Sequence, residues 1–307
     1  MTTPRPIPSA PARTARPSHD GPTPPAGPLR RRLARLTTRA AGALAASALA
    51  AILALPAPLA AGSPGKVIRL EVIDGGRTAS GTHQAGIRLT MAPGWKTYWR
   101  SPGDAGIPPQ FDWRGSRNVG AVAITWPTPK AFEQSGMRSL GYKDSVVLPI
   151  ELTPGNGTDP IRLKGSIDLG VCKDVCIPER LHFDARLDPN APRSSAIAAA
   201  LAARPYSAAE AGVTRAECAL TPTADGLQIT ARITMPSAGG TEIAVIEPGN
   251  PMIWASEATS SRSGPTLTAS SELVHANGGT FALDRSAVRL TVLGTDHAVD
   301  IRGCQPG

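Results

Sequence analysis

Two runs of alternating apolar and polar residues flank a short stretch near the middle of the chain. Upstream, Ile161, Leu163, Ile167, Leu169 and Val171 are apolar at every second position, with Gly165 filling the gap and Arg162, Lys164, Ser166 and Asp168 between them. Downstream, Leu181, Phe183, Ala185 and Leu187 alternate with His182, Asp184 and Arg186. A period of two over such lengths predicts two half-buried strands that pair as a hairpin. The stretch between them, Val171 to Glu179, is then presented on a loop at the end of a sheet.

The same pattern recurs on both sides. Strands are predicted at Val67–Ile73, closed by the turn signal Asp74-Gly75-Gly76, and at Ala85–Met91, closed by Pro93-Gly94. Trp95 to Arg100 follows, then a Pro/Gly-rich loop from Ser101 to Pro109, then strands at Gln110–Trp113, Ala121–Trp126 and Ser145–Leu152. Short strands, frequent turn residues and no helical period predict a mainly β fold, an antiparallel β-sandwich over about 64–189. Asp188 to Pro192 breaks the pattern. Ser194 to Ala203 is Ala-rich, with Pro205 just beyond, and predicts a short helix within a linker over 190–212. Alternation then returns at Leu227–Thr234, Ile243–Ile246, Ala287–Leu293 and Ala298–Ile301, predicting a second, smaller β-sandwich-like domain over 213–307.

Composition changes the picture at the amino-terminal end. The chain has 307 residues and a net charge of +8. Residues 1–60 hold eight Arg and one Asp, so the remainder carries 24 basic and 23 acidic residues. No basic tract with interleaved aromatics remains, and nucleic acid is not an expected partner. Residues 1–29 are rich in Pro, Ala, Ser and Thr. Arg30, Arg31, Arg32, Arg35 and Arg39 precede an uncharged, apolar run, Ala40–Leu55, and small residues up to Ala61. This is the order of a secretory signal. An uncleaved anchor is the alternative, but the run falls short of the roughly 20 residues that span a bilayer. The rest of the chain is expected to be exported, where disulfides persist.

Two of the four cysteines, Cys172 and Cys176, lie on the predicted hairpin loop. Thiol–disulfide exchange needs an attacking thiolate, a second cysteine to resolve the mixed disulfide, and access for another protein. A loop gives the access and the spacing gives the resolving partner. Lys173 favours a thiolate and Asp174 opposes it. Two other readings compete. As a staple, a five-residue loop yields only about 2 kcal/mol, against about 4.5 kcal/mol for a loop of 87. As a metal site, zinc wants four ligands and only His182 is close in sequence, whereas Cu(I) needs fewer soft ligands. A thioredoxin active site needs two intervening residues and a βαβ context, and both are absent. No cofactor is called for.

Cys218 and Cys304 stand at the two ends of the second domain, positions that suit a long-loop structural disulfide. Tyr98 and Trp99, just before the Pro/Gly-rich loop, and Tyr142 after Gly141 are candidates to shield a site at the sandwich end; most neighbouring aromatics are read as core. His83 and His275 are expected at the surface. No nucleophile–His–acid arrangement, phosphate-cradling loop or paired-carboxylate signature is present.

The succession Gly94-Trp95-Lys96-Thr97-Tyr98-Trp99-Arg100-Ser101-Pro102-Gly103-Asp104-Ala105-Gly106, Trp126-Pro127, Gly141-Tyr142 and Cys172-Lys173-Asp174-Val175-Cys176-Ile177-Pro178-Glu179 resembles the periplasmic amino-terminal domain of DsbD-type thiol–disulfide interchange proteins. The likeness covers roughly 64–190 and is nearer to the ScsB-like branch, linked to copper tolerance, than to the DsbD branch, whose cysteines are more widely spaced. It implies an immunoglobulin-like sandwich. It also implies a cysteine pair that takes electrons from an inner-membrane transporter domain and passes them to oxidised periplasmic proteins, thioredoxin-like or disulfide isomerases. Cys176 is implied as the attacking sulfur and Cys172 as the resolving one. Full-length members continue into a multi-helix membrane domain and a thioredoxin-like domain. Neither appears in this sequence, and the expectation is a detached carrier module.

Overall fold

The computed structural model describes residues 66–307 apart from 105, 135, 157 and 158; the expected secretory leader lies outside the described residues. The first half contains β1 (Ile68–Arg77), β2 (His83–Met91), β3 (Lys96–Tyr98), β4 (Gln110–Asp112), β5 (Ala121–Ile124), β6 (Lys130–Gln134), β7 (Met137–Lys143), β8 (Ser145–Thr153), β9 (Ile161–Cys172) and β10 (Cys176–Leu187). After α1 (Ser195–Ala202) come β11 (Tyr206–Ser207), β12 (Arg215–Pro222), β13 (Leu227–Thr234), β14 (Ile243–Glu247), β15 (Ile253–Ala255), β16 (Thr259–Ser263), β17 (Thr266–His275), β18 (Arg289–Leu293), β19 (Ala298–Arg302) and β20 (Gln305–Pro306). No described helix is long and apolar enough to cross a membrane.

Each half is a pair of sheets. The first half sets β1-β2-β8-β5 against β10-β9-β3-β7-β6, with β4 also pairing β9. The alternation in β9 puts Ile161, Leu163, Ile167, Leu169 and Val171 on one face, all buried, against Ala85, Ile87 and Leu89 of β2 and Leu148, Ile150 and Leu152 of β8 within one core. The opposite face of the β9–β10 hairpin is solvated and holds cross-strand ion pairs, Arg180 with Asp168 and Arg162 with Asp184. The Arg162 guanidinium holds the Asp184 carboxyl down at about 2. Strand β10 lies at the sheet edge, where Pro178 costs no ladder hydrogen bond.

The second half sets β11-β19-β18-β14 against β15-β17-β13-β12-β20, with β16 also on β17. Ile229, Ala231 and Ile233 of β13 and Leu267, Ala269 and Leu273 of β17 face Leu290, Val292, Val299 and Ile301 in a second core. The Cys218–Cys304 disulfide ties β12 to the end of the chain, with a Cα–Cα distance of 5.7 Å.

One sheet is covered on both faces. Ala244 and Ile246 of β14 point into the second core, while Ile243 and Val245 pack against the first. Leu293 and Ala298 likewise join the first core from β18 and β19. The polar part of this junction centres on Arg100. Its Nε and Nη2 donate to the two carboxylate oxygens of Glu247 at 3.0 and 2.9 Å, and Nη2 also donates to Thr291 Oγ1. Its guanidinium stacks 3.9 Å above the Trp99 ring. A second ion pair, Arg138 with Glu257, joins the β6–β7 hairpin to the other sandwich.

Several expectations are corrected. Asp74-Gly75-Gly76 does not end the first strand. β1 runs on to Arg77 through a register shift, because the Asp74 carboxylate accepts from Gly76 N and Asp188 N and stabilises a bulge within the strand. His83 is buried, not at the surface. It extends the inward alternation of β2 by one step, and its Nε2 lies 2.7 Å from Asp74 Oδ1. Strands β6, β7 and β15 to β17 were not anticipated. The helix is found, and it plugs the outer face of the first sheet: Ile197 occupies the space over Gly75 and Gly86, where a Cβ would stand 3.1 and 3.0 Å from it.

Because Arg100 and Glu247 are both largely buried, removing one strands the other. Arg100→Met is expected to cost roughly 3 kcal/mol in urea unfolding, with Arg100→Met/Glu247→Leu recovering much of the loss. Equal stability of Arg100→Met and wild type would refute this account of the junction.

Candidate redox site

The site follows from strand register. Cys172 and Cys176 are directly opposite each other across the β9–β10 hairpin, and Lys173-Asp174-Val175 forms the connection, closed by a hydrogen bond from Lys173 N to Val175 O. Antiparallel partners stand close enough for their side chains to meet. Here the Cα–Cα distance is 4.1 Å and the two sulfurs are bonded. On its other side Cys172 pairs with Lys96 of β3, which pairs with Lys143 of β7. Lys143, Lys96, Cys172 and Cys176 therefore form one rung across four strands. The next rung, Tyr142, Thr97, Val171 and Ile177, faces the other way, and Tyr142 and Val171 lie in the core. The cysteines thus belong to the outer face of their sheet.

Tyr98 returns to that outer face, opposite Gly141 and beside Gly170. A Cβ on Gly170 would stand 2.9 Å from the Tyr98 ring and 3.2 Å from Ile107 Cβ. The bare glycine is what lets the ring lie flat on the sheet and extend toward the disulfide. The Tyr98 hydroxyl donates to Cys172 Sγ at 2.9 Å and also lies 3.3 Å from Cys176 Sγ. Burial pushes its phenol pKa up, so the proton stays on oxygen at neutral pH. Gly106 covers the ring, so close that a Cβ there would stand 3.0 Å from Tyr98 Cδ1.

The two cysteines differ sharply in access. Cys172 has no exposed surface, whereas Cys176 is exposed and its neighbour Val175 is 66% exposed. Of the three aromatics considered as shields, Tyr98 alone is bonded to the sulfurs. Trp99 is one residue on, so it points to the opposite face and is wholly within the core. Tyr142 is buried on the core face, where its hydroxyl donates to Pro127 O at 2.8 Å and burial drives its pKa far up. Both are corrections with the same cause, the reversal of direction at each step along a strand.

Lys96 and Ile107 were not anticipated. Lys96 shares the rung of both cysteines, its ammonium lies 5.1 Å from the Phe132 ring centre, and burial lowers its pKa. Its placement depends on the pairing of β3 with β9, which residues far apart in sequence decide. Among the described residues no group of three or more His, Cys, Asp or Glu side chains converges as metal ligands.

Residues 69–187 match the family described as the N-terminal region of the thiol:disulfide interchange protein DsbD. Among solved structures, the N-terminal periplasmic domain of ScsB from Proteus mirabilis aligns over 79% of this chain and 95% of its own length, with a TM-score of 0.61 and 22% identity. The reduced DsbD N-terminal domain of Neisseria meningitidis aligns over 40% of this chain and 88% of its own, with a TM-score of 0.25 and 20% identity. No curated protein matches the chain. The chain thus shares its overall fold with the ScsB N-terminal periplasmic domain, and over residues 69–187 it matches the DsbD N-terminal family.

Proposed function

We propose that this chain is a periplasmic thiol–disulfide interchange module that relays two electrons at a time through Cys172 and Cys176, from an inner-membrane reductant to oxidised periplasmic proteins of the thioredoxin-like or disulfide isomerase kind. The carrying observation is the asymmetry of the pair: an exposed Cys176 sulfur bonded to a buried Cys172 sulfur beneath a tyrosine hydroxyl. The family match over 69–187 supports the same reading.

In the donating direction, the Cys176 thiolate attacks one sulfur of a substrate disulfide. That bond breaks, the departing substrate sulfur leaves as a thiolate and takes a proton from solvent, and a mixed disulfide remains. Cys172, having given up its proton, attacks Cys176 Sγ. The mixed disulfide breaks, the second substrate sulfur is released and protonated, and the Cys172–Cys176 bond forms. The pair loses two electrons and two protons, and the substrate disulfide gains them. Recharging is the reverse, with a partner dithiol attacking Cys176 and Cys172 leaving as the thiolate. In both directions Cys172 carries negative charge beside the Tyr98 hydroxyl, and a hydrogen bond to a charged group is worth about 1.5–3 kcal/mol. Lys96 on the same rung adds a positive charge that favours the thiolate.

In cells, a Cys172→Ser variant of the full chain is expected to accumulate mixed disulfides through Cys176, while Cys176→Ser accumulates none. The reverse pattern would reassign the attacking sulfur, and no adduct from either would defeat the relay. A redox titration should place the Cys172–Cys176 couple above about −300 mV, the range below which structural disulfides fall. Tyr98→Phe removes the hydroxyl and nothing else. The pKa of the reduced pair's more acidic thiol is expected to rise by roughly one to two units, followed as the pH dependence of alkylation. An unchanged thiol pKa would show that the hydroxyl does not stabilise the thiolate.

A further inference from the structure

Exchange is a meeting of charges as well as of sulfurs. The attacking group is a thiolate, so a disulfide that carries carboxylates is repelled by the atom it must reach. The surface around Cys176 works against that repulsion.

The outer face that holds the cysteines is set with lysines. Lys96 and Lys143 continue the cysteine rung onto β3 and β7, about 5 and 10 Å from Cys172 by strand spacing. Lys130 of β6 pairs with Gly141, two residues before Lys143, and so emerges on the same face. Lys173 opens the hairpin connection, and its side chain runs back over Gly94, where a Cβ would stand 3.1 Å from its Cε. Lys130, Lys143 and Lys173 are exposed, and Lys96 is half-buried with its ammonium beside the Phe132 ring. The acids at this end of the sheet are Asp174 in the connection and Asp144 after Lys143, both exposed. Four lysines against two aspartates leave an excess of positive charge. Farther along the same face Arg180 and Asp168 are paired with each other and add nothing to it. Asp104 lines the junction with the second sandwich, together with Arg138. Beyond residue 60 the chain is nearly neutral, so the excess is a local feature of the redox site.

The dimensions suit a small molecule. β6 is three strand spacings from β9, so the lysines lie within about 15 Å of the sulfurs on one open face. We propose that Cys176 exchanges with low-molecular-weight disulfides of carboxylate-bearing thiols, and that Lys96, Lys130, Lys143 and Lys173 form the site that receives their carboxylates. This rests on the exchange reading above and adds a substrate class to it. The Cys176 thiolate attacks one sulfur of the small disulfide, whose other half leaves as a thiolate and takes a proton from solvent. Cys172, having given up its proton, then attacks Cys176 Sγ, and the second half leaves and is protonated in turn. The chain loses two electrons and two protons, and the small disulfide becomes two thiols.

The test follows the oxidation of the full chain, reduced at Cys172 and Cys176, by glutathione disulfide, which is net anionic, by neutral hydroxyethyl disulfide and by cationic cystamine. Loss of alkylatable Cys172 and Cys176 is read by peptide mass. Each second-order rate is divided by that of the same disulfide with dithiothreitol, which removes differences of intrinsic reactivity. Ratios between disulfides within one variant cancel any change in thiolate fraction. At about 10 mM ionic strength, where charges act over roughly 30 Å, the normalised rate is expected to be at least about tenfold higher for glutathione disulfide than for cystamine. At about 0.5 M salt the two should agree within about twofold. Lys130→Glu/Lys143→Glu should lower the low-salt ratio by about tenfold or more. Arg69→Glu/Arg232→Glu makes the same change of net charge at exposed positions on other sheets and should move it by less than about threefold. A wild-type ratio near or below one, or equal shifts in the two variants, would overturn the lysine site and leave the exchange reading standing. Failure of hydroxyethyl disulfide to join the reduced Cys172 and Cys176 would defeat the exchange reading itself, and this proposal with it.

Discussion

The pairing of β9 with β10 on one side and with β3 on the other decides where every group of the site lies. Direct opposition of residues 172 and 176 brings two sulfurs together without any special loop. The same register brings Lys96 alongside and sends Thr97 and Val171 inward. A slip of one residue in either pairing would turn Cys172 into the core or carry Tyr98 away from it. The long alternating runs of β9 and β10 hold the register, since a slip would also expose Leu163, Ile167 and Leu169. The stability of the sandwich and the geometry of the disulfide are therefore set by the same hydrophobic pattern.

A cysteine pair on the outer face of a sheet would normally be open to solvent on both sulfurs. Here the absence of a side chain at Gly170 makes room for the Tyr98 ring, and Gly106 lies against its other side. One sulfur is thereby withdrawn from water and held against a proton donor, while the other, at the start of the edge strand, stays in reach. A structural staple gains nothing from such a difference between its two ends. For exchange it separates the sulfur that meets another protein from the one that must hold negative charge.

The hairpin, its cysteines and most strands of both sandwiches were legible in the sequence, because period-two alternation is a local signal and β9, β10 and β13 carry it over most of their length. The failures have a common physical source. Trp99 and Tyr142 looked like shields beside Tyr98, but direction on a strand reverses at every residue, and only the register with β7 and β9 says which face is which. His83 looked like a surface residue because its partner Asp74 sits in a bulge, and a bulge cannot be told from a turn by its Asp-Gly-Gly composition. Strands β16 and β17 are rich in Ser, Thr and small residues, so their alternation is muted, and β15, Ile253–Ala255, is too short to show a period. Lys96 and Ile107 join the site only through contacts between segments some 70 residues apart, which no local pattern encodes.

The covering of β14-β18-β19 on both faces makes the position of the second sandwich a consequence of burial. Ile243, Val245, Leu293 and Ala298 cannot return to water without exposing part of the first core, and Arg100 and Glu247 cannot separate without leaving charges poorly solvated. The second sandwich is thus held against the first by burial and by a buried ion pair, and not by the linker over 190–212 alone.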